Sequence, residues 1–200
     1  MSATLLFATG NAGKLADLRA LLGPGVEIRS LADFPELPEV VEDAATFEGN
    51  AEKKARALSS ATGLPALADD SGLCVDGLGG APGVLSARYG PGTDADRVVK
   101  LLAVLQAVGH LSGAGRRAHF ACALSLALPD GRAFTEVGRC VGEIALAPRG
   151  SGGFGYDPVF LLPNLQKTMA ELSREEKGAI SHRGQALCAL LPVLKRELGL

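Results

Sequence analysis

Apolar positions fall into two alternating periods along the chain. Thr4 to Ala8 is a short apolar run suited to a strand. It breaks at Gly10-Asn11-Ala12-Gly13, after which Leu15, Leu18, Leu21 and Leu22 recur at helical spacing. Gly23-Pro24-Gly25 ends that helix, and Val26 to Ile28 reads as a second strand. A strand-helix-strand opening predicts an α/β fold. After a proline-broken acidic stretch from Leu31 to Asp43, Thr46 is placed to N-cap a helix through Ala51, Ala55 and Leu58. Leu64 to Ala68 is a further strand ending on Asp69-Asp70-Ser71-Gly72. This pattern sets two carboxylates at a strand's C-terminal end, where open α/β sheets bind ligands.

Beyond a glycine-rich segment, Gly77 to Gly92, a helix carrying Val98, Leu101, Leu102 and Leu105 is expected from near Thr93 to Gly109. Ala118 to Leu128 and Arg132 to Val141, joined at Pro129-Asp130-Gly131, read as an antiparallel hairpin, so the sheet is mixed. A glycine-rich loop, Gly150 to Gly155, precedes a strand from Pro158 to Leu161. Ser173 with Glu176 forms a capping-box pattern. The last helix is expected from Ser181 to near Leu198, with Pro192 as the point where it can break.

Composition narrows the class. With 200 residues, 47% of them hydrophobic and 21% charged, the chain fits one domain with a sizeable core and is not a disordered segment. A net charge of −2 gives no general basic field, which argues against a nucleic-acid partner and makes any phosphate recognition local. Met1 to Leu6 has no basic leader, and no apolar run approaches the ~20 residues of a membrane span. A cytoplasmic protein without membrane contact is expected. Cys74, Cys122, Cys140 and Cys188 are widely spaced with no C-x-x-C pair, so they are expected to be reduced core or subsurface thiols.

Four stretches carry candidate chemistry. Thr9, Gly10, Asn11, Ala12, Gly13 and Lys14 follow a strand and open a helix, where backbone N–H groups and the helix terminus can receive a phosphate. A P-loop would require glycine at Ala8 and Ser or Thr at Leu15, so that motif is absent, and a purely structural turn remains the alternative. Asp69 and Asp70 alternate across a strand, so they serve one ion only if the chain bends, which Ser71-Gly72 allows. Hard oxygen donors suit Mg²⁺, with Glu42 in the acidic loop as a partner; an ordinary Asx-capped turn is the alternative. In Ser151 to Pro158 the glycines permit close approach, Phe154 and Tyr156 offer aromatic faces, and Asp157 can accept from base N–H groups. Lys177, Ser181, His182 and Arg183 cluster donors near the last helix; the His182-Arg183 pair is suited to hydrogen-bonding a purine carbonyl, with proton transfer by His182 as the alternative. His110 and His119 lack companions at metal-ligand spacing.

Together these stretches resemble the inosine triphosphate pyrophosphatase family, which removes non-standard purine nucleotides such as dITP, ITP and XTP. The resemblance rests on Ala8 to Lys14, Thr46-Phe47 with Asn50 and Lys54, and Ala68 to Leu73. It extends to Gly80-Ala81-Pro82-Gly83, Ser86 to Tyr89, Gly152 to Pro158 and Ser181-His182-Arg183-Gly184. It implies an elongated mixed sheet flanked by helices, one domain over residues 1–200 in two lobes with a central active-site cleft, and a homodimer. It also implies that Thr9 to Lys14 hold the triphosphate with Lys54 nearby, and that Glu42 with Asp69 or Asp70 holds Mg²⁺. Asp70 would accept the proton of the attacking water. Ser71, Phe154, Gly155, Tyr156, Asp157, Lys177, His182 and Arg183 would bind the nucleotide. Val41 departs from the pattern, since relatives often carry a second acidic residue beside Glu42. The Gly152 to Pro158 and Ser181 to Arg183 motifs argue against a related pyrophosphatase of the septum-formation-inhibitor type. A nucleotide sensor without catalysis is the reading from another class.

Overall fold

The computed structural model describes residues 3–9, 12–37, 39–110 and 112–200. Seven strands form one sheet in the order β2-β1-β3-β4-β5-β6-β7, namely β1 (Ala3–Phe7), β2 (Val26–Ser30), β3 (Ala66–Val75), β4 (Arg117–Ala127), β5 (Ala133–Ile144), β6 (Phe160–Leu162) and β7 (Lys167–Thr168). The α-helices among the described residues are α1 (Ala12–Leu22), α2 (Phe47–Thr62), α3 (Asp94–Ala107), α4 (Arg174–Ile180) and α5 (His182–Leu198), with short 3₁₀ turns between elements. β1 pairs parallel with both β2 and β3, whereas β6 pairs antiparallel with β5 and β7. The sheet is mixed, as the hairpin pattern predicts.

The chain divides into two compact units: Met1–Asp70, Cys122–Gly138 and Gln185–Leu200; and Ser71–Ala121 with Arg139–Gly184. In the first, β1 is buried on both faces, as a strand of a parallel sheet covered by helices must be. Leu5 and Phe7 pack with Leu18 and Leu22 of α1 and with Ala186, Leu187, Leu190 and Leu194 of α5. The alternate residues Leu6 and Ala8 pack with Ala55 and Leu58 of α2. Helices α1 and α2 therefore lie on opposite faces of β1. The second unit has its own core, in which Val98, Leu101 and Leu105 of α3 meet Leu73, Phe120, Ile144 and Phe160.

Local signals explain the helix limits. Thr46 caps α2 by accepting from Gly49 N at 3.1 Å, and Gly63 ends it with a positive φ of 67°. The Ser173–Glu176 capping box opens α4 as its sequence predicts. Pro192 does not interrupt α5. Losing a helix bond to proline costs about 3 kcal/mol, while burying Leu187, Leu190 and Leu194 contributes about 1.5–3 kcal/mol each.

Two strands differ from expectation. β3 does not stop at Ala68 but continues through Asp69-Asp70-Ser71-Gly72 to Val75. Its neighbours in the sheet sustain extended backbone through a tetrapeptide whose own preference is a turn. Asp157 to Val159 forms a 3₁₀ turn, so β6 begins only at Phe160. Among the described residues, no helix is long and apolar enough to cross a membrane.

Candidate active site

β1 ends at Phe7, while β3 runs past it, so Asp69 and Asp70 lie just beyond the carboxyl end of β1. Thr9 is buried there, and Ala12 and Gly13 open α1. Gly10 and Asn11 lie outside the described residues. Lys14, in the first turn of α1, places Nζ 2.6 Å from Asp69 Oδ2, and the Asp69 side chain is only 4% exposed. Lys54, in α2, donates to the Asp69 carbonyl at 3.1 Å and forms an ion pair with Glu42. Asp70 accepts from Asn50 Nδ2 at 2.9 Å. Asn50 itself is almost fully buried, and its Oδ1 accepts from Ala44 N at 2.8 Å. That second bond fixes the orientation of the amide, so its NH₂ must face Asp70.

The alternation along β3 is visible in these partners. Asp69 meets a side chain of α1 and Asp70 a side chain of α2, the helices packed on opposite faces of β1. The result is a run of alternating charges, Glu42, Lys54, Asp69 and Lys14, with Asp70 alongside. Among the described residues, no group of three His, Cys, Asp or Glu side chains is gathered as a metal site. Ammonium groups stand against the Glu42 and Asp69 carboxylates, which shows that these oxygens accept cations. Mg²⁺ needs only one or two protein carboxylates when water and phosphate complete its shell, so the donor set fits it.

A second cluster lies in the other unit. Phe154 is 57% exposed, and Lys177 Nζ stands 4.9 Å from its ring centroid. Lys177 also pairs with the buried Asp157 carboxylate, which accepts from Phe154 N at 2.8 Å. Tyr156 differs from its neighbour: it is 5% exposed and donates from its hydroxyl to the Ser86 carbonyl at 3.0 Å. Burial pushes its phenol up to about 12. Gly155 N donates to Asp94 Oδ2 at 2.7 Å. Arg183 donates to Ser71 Oγ at 3.3 Å. His182 is buried, and its ring stacks on Phe120 with centroids 5.0 Å apart.

The structure thus brings Lys14, Lys54, Glu42, Asp69 and Asp70 into one cluster, Phe154, Asp157 and Lys177 into another, and Ser71 against Arg183. Two contributors escape the sequence pattern. Asn50 belongs to the family motif, but nothing in the sequence shows that it grips Asp70. Asp94 carries no signal beyond being an acid in the first turn of a helix. His110 reads as structural, its Nε2 lying 3.1 Å from the Gly77 carbonyl, and the four cysteines, all of them described residues, are not in disulfides. Cys122 and Cys140 are buried, while Cys188 is exposed, unlike the core or subsurface position expected for it.

A model of the Ham1 family matches residues 5–193. A Streptomyces avermitilis protein named dITP/XTP pyrophosphatase is 50% identical over 198 residues, 98% of each chain. One of the same name from Thermus thermophilus is 52% identical over 194 residues, 96% of this chain and 91% of its own. The solved structure of a HAM1 protein from Coxiella burnetii shares the fold with a TM-score of 0.90 at 43% identity, over 97% of this chain and 99% of that one. Matching nearly end to end in sequence and in fold, the chain belongs to the Ham1 family.

Proposed function

We propose that the chain, working as a single catalytic domain, hydrolyses non-standard purine nucleoside triphosphates (dITP, XTP and ITP) to the monophosphate and pyrophosphate, keeping them out of the nucleotide pool. The observation that carries the reading is the cluster of Lys14 and Lys54 with Glu42, Asp69 and Asp70 beside the segment that opens α1. Lysines already facing carboxylates can exchange those contacts for phosphate oxygens. The names of the relatives supply the substrate class.

Thr9 to Lys14, with Lys54, would hold the triphosphate. Glu42, Asp69 and Asp70 would hold Mg²⁺, which when bound neutralises negative charge on the phosphates. Asp70, oriented by Asn50, accepts a proton from a water whose oxygen attacks the α-phosphorus. The bond from that phosphorus to the oxygen bridging to the β-phosphorus breaks, and pyrophosphate leaves with Lys14 and Lys54 countering its charge. No covalent intermediate is required.

Phe154, Gly155 and Asp157 with Lys177 would receive the purine, Tyr156 anchoring the stretch from the core. Ser71, His182 and Arg183 would complete nucleotide binding. Donors aimed at a 6-oxo group are left unpaired by a 6-amino group, which accounts for rejection of ATP. The same reading takes the chain as a cytoplasmic homodimer without nucleic-acid partners; light scattering tests the dimer.

The experiment is pyrophosphate release from XTP, ITP, dITP, GTP and ATP in parallel, with Mg²⁺ and with excess chelator. Strong chelator-sensitive turnover of the first three, with monophosphate as co-product, is the expected result. Orthophosphate and diphosphate as products would refute attack at the α-phosphorus.

A further inference from the structure

The stretch Gly152 to Asp157 contains its own turn: Phe154 N donates to Asp157 Oδ2 at 2.8 Å and Asp157 N to the Phe154 carbonyl at 3.2 Å. Phe154 sits between Gly153 and Gly155, whose φ values are 75° and 61°. Glycine enters this left-handed region without penalty and leaves it as easily. The internal bonds therefore shape the turn without deciding where the exposed Phe154 ring is carried.

Bonds to other elements do that: Gly152 N on the Ala170 carbonyl and the Tyr156 hydroxyl on the Ser86 carbonyl, each at 3.0 Å, tether the stretch on either side, and the bond nearest the ring falls on the residue after it. Gly155 N donates to Asp94 Oδ2 at 2.7 Å. Asp94 is the first residue of α3, and its Oδ1 accepts from Arg97 Nη2 at 2.6 Å, while Arg97 Nη1 donates to the Gly92 carbonyl at 3.0 Å. Both carboxylate oxygens are thereby engaged. The Arg97 guanidinium and the Gly155 amide hold the Asp94 carboxyl below its ordinary range, so it is charged at neutral pH. Helix α3 buries Val98, Leu101 and Leu105, so the carboxylate stands on a fixed mount.

We propose that Asp94 is a positioning residue for base selection: by gripping the Gly155 amide it fixes the Phe154 ring beside the Lys177 ammonium, and so sets how strongly purine bases are told apart. This rests on the reading of Phe154 to Asp157 as the base site. Asp94 acts through the backbone next to the ring, remote from the phosphate cluster in sequence and in its contacts. Its loss is therefore felt in KM and in base preference more than in kcat.

The test compares wild type, Asp94→Ala and Asp94→Asn on XTP, ITP and ATP. Asp94→Ala is expected to lower kcat/KM for XTP and ITP by about three- to tenfold, mainly through KM, as fits one partly exposed charge-assisted hydrogen bond. ATP turnover changes little, so the preference narrows. Asp94→Asn keeps one oxygen that can accept from Gly155 but turns its NH₂ toward the Arg97 guanidinium, so it recovers only part of the loss. Thr93 and Asp96 keep the capping box of α3 in both variants, and thermal unfolding near that of wild type checks the fold. Wild type without preference for XTP and ITP overturns the base-site reading itself. If that preference is present, unchanged KM and selectivity in Asp94→Ala overturn the positioning role alone. Hydrogen exchange of wild type needs no variant: the Gly155 amide is expected to exchange slowly, and exchange at the free-loop rate overturns the contact.

Discussion

Asn50 shows how much one neutral side chain can decide. Its Oδ1 is taken by Ala44 N, so its NH₂ is committed to Asp70. Asn50→Ala leaves Asp70 without that guide and is expected to lower kcat by about 10–100-fold, the range for residues that orient a metal or proton ligand, with KM little changed. Steady-state kinetics on XTP measures it, and a change confined to KM would remove Asn50 from this role. Lys54 is the complementary case, since it touches Glu42 and the Asp69 carbonyl. Lys54→Met is expected to raise KM for the triphosphate by about tenfold or more, one lost charge contact being worth at least ~1.4 kcal/mol.

Tyr156 gives a pH dependence of known sign. Its folded pKa, near 12, lies above its unfolded value, so the neutral phenol is the favoured form in the folded state. The stabilisation is fully present below the ordinary tyrosine range near 10 and is lost as pH rises toward 12. Its size is on the order of 2–3 kcal/mol. Tyr156→Phe is expected to flatten this alkaline loss in urea-unfolding curves measured across that window. An unchanged pH profile in the variant would show that the phenol ionises as freely in the native state as in the unfolded chain.

At the scale of elements, α2 carries both Asn50 and Lys54, so its stability is tied to the site. Thr46→Ala removes the side chain that caps it. A loss of about 1 kcal/mol is expected, seen as a lowered melting temperature with kinetics largely kept. An unaltered melting temperature would mean that the cap contributes nothing to α2. The continuation of β3 through Asp69 and Asp70 belongs to this scale as well. It gives the two carboxylates partners from different helices, Lys14 from α1 and Asn50 from α2.

Each unit of the whole molecule has its own buried cluster, so stability and chemistry can be separated by mutation. Leu101 is fully buried in the cluster of the second unit and is not itself a candidate substrate contact. Leu101→Ala is expected to cost about 2–5 kcal/mol by urea denaturation. A cost below ~1 kcal/mol would mean that the surroundings collapse around the smaller side chain. Chelation acts differently: excess chelator is expected to abolish turnover while leaving the melting temperature of the ligand-free protein near its starting value.

Periodicity and capping chemistry determine most of the elements by themselves, because they act within a few residues. Leu15, Leu18 and Leu22 define a helical stripe, Gly23-Pro24-Gly25 its stop, Thr46 the start of another helix, and Pro129-Asp130-Gly131 a hairpin. The motifs likewise name the chemistry, because phosphate, metal and purine each demand particular donors and acceptors. Tertiary structure alone decides the rest, since it depends on partners distant in the chain. Local preference reads Asp69-Asp70-Ser71-Gly72 as a turn, but the surrounding sheet holds it extended. Arg116 is buried because the carbonyls of His110, Ile144 and Ala145 accept from its guanidinium. Asp94 acquires a role only where the fold brings α3 to the amide of Gly155, a contact between residues too far apart in sequence for any local rule to see.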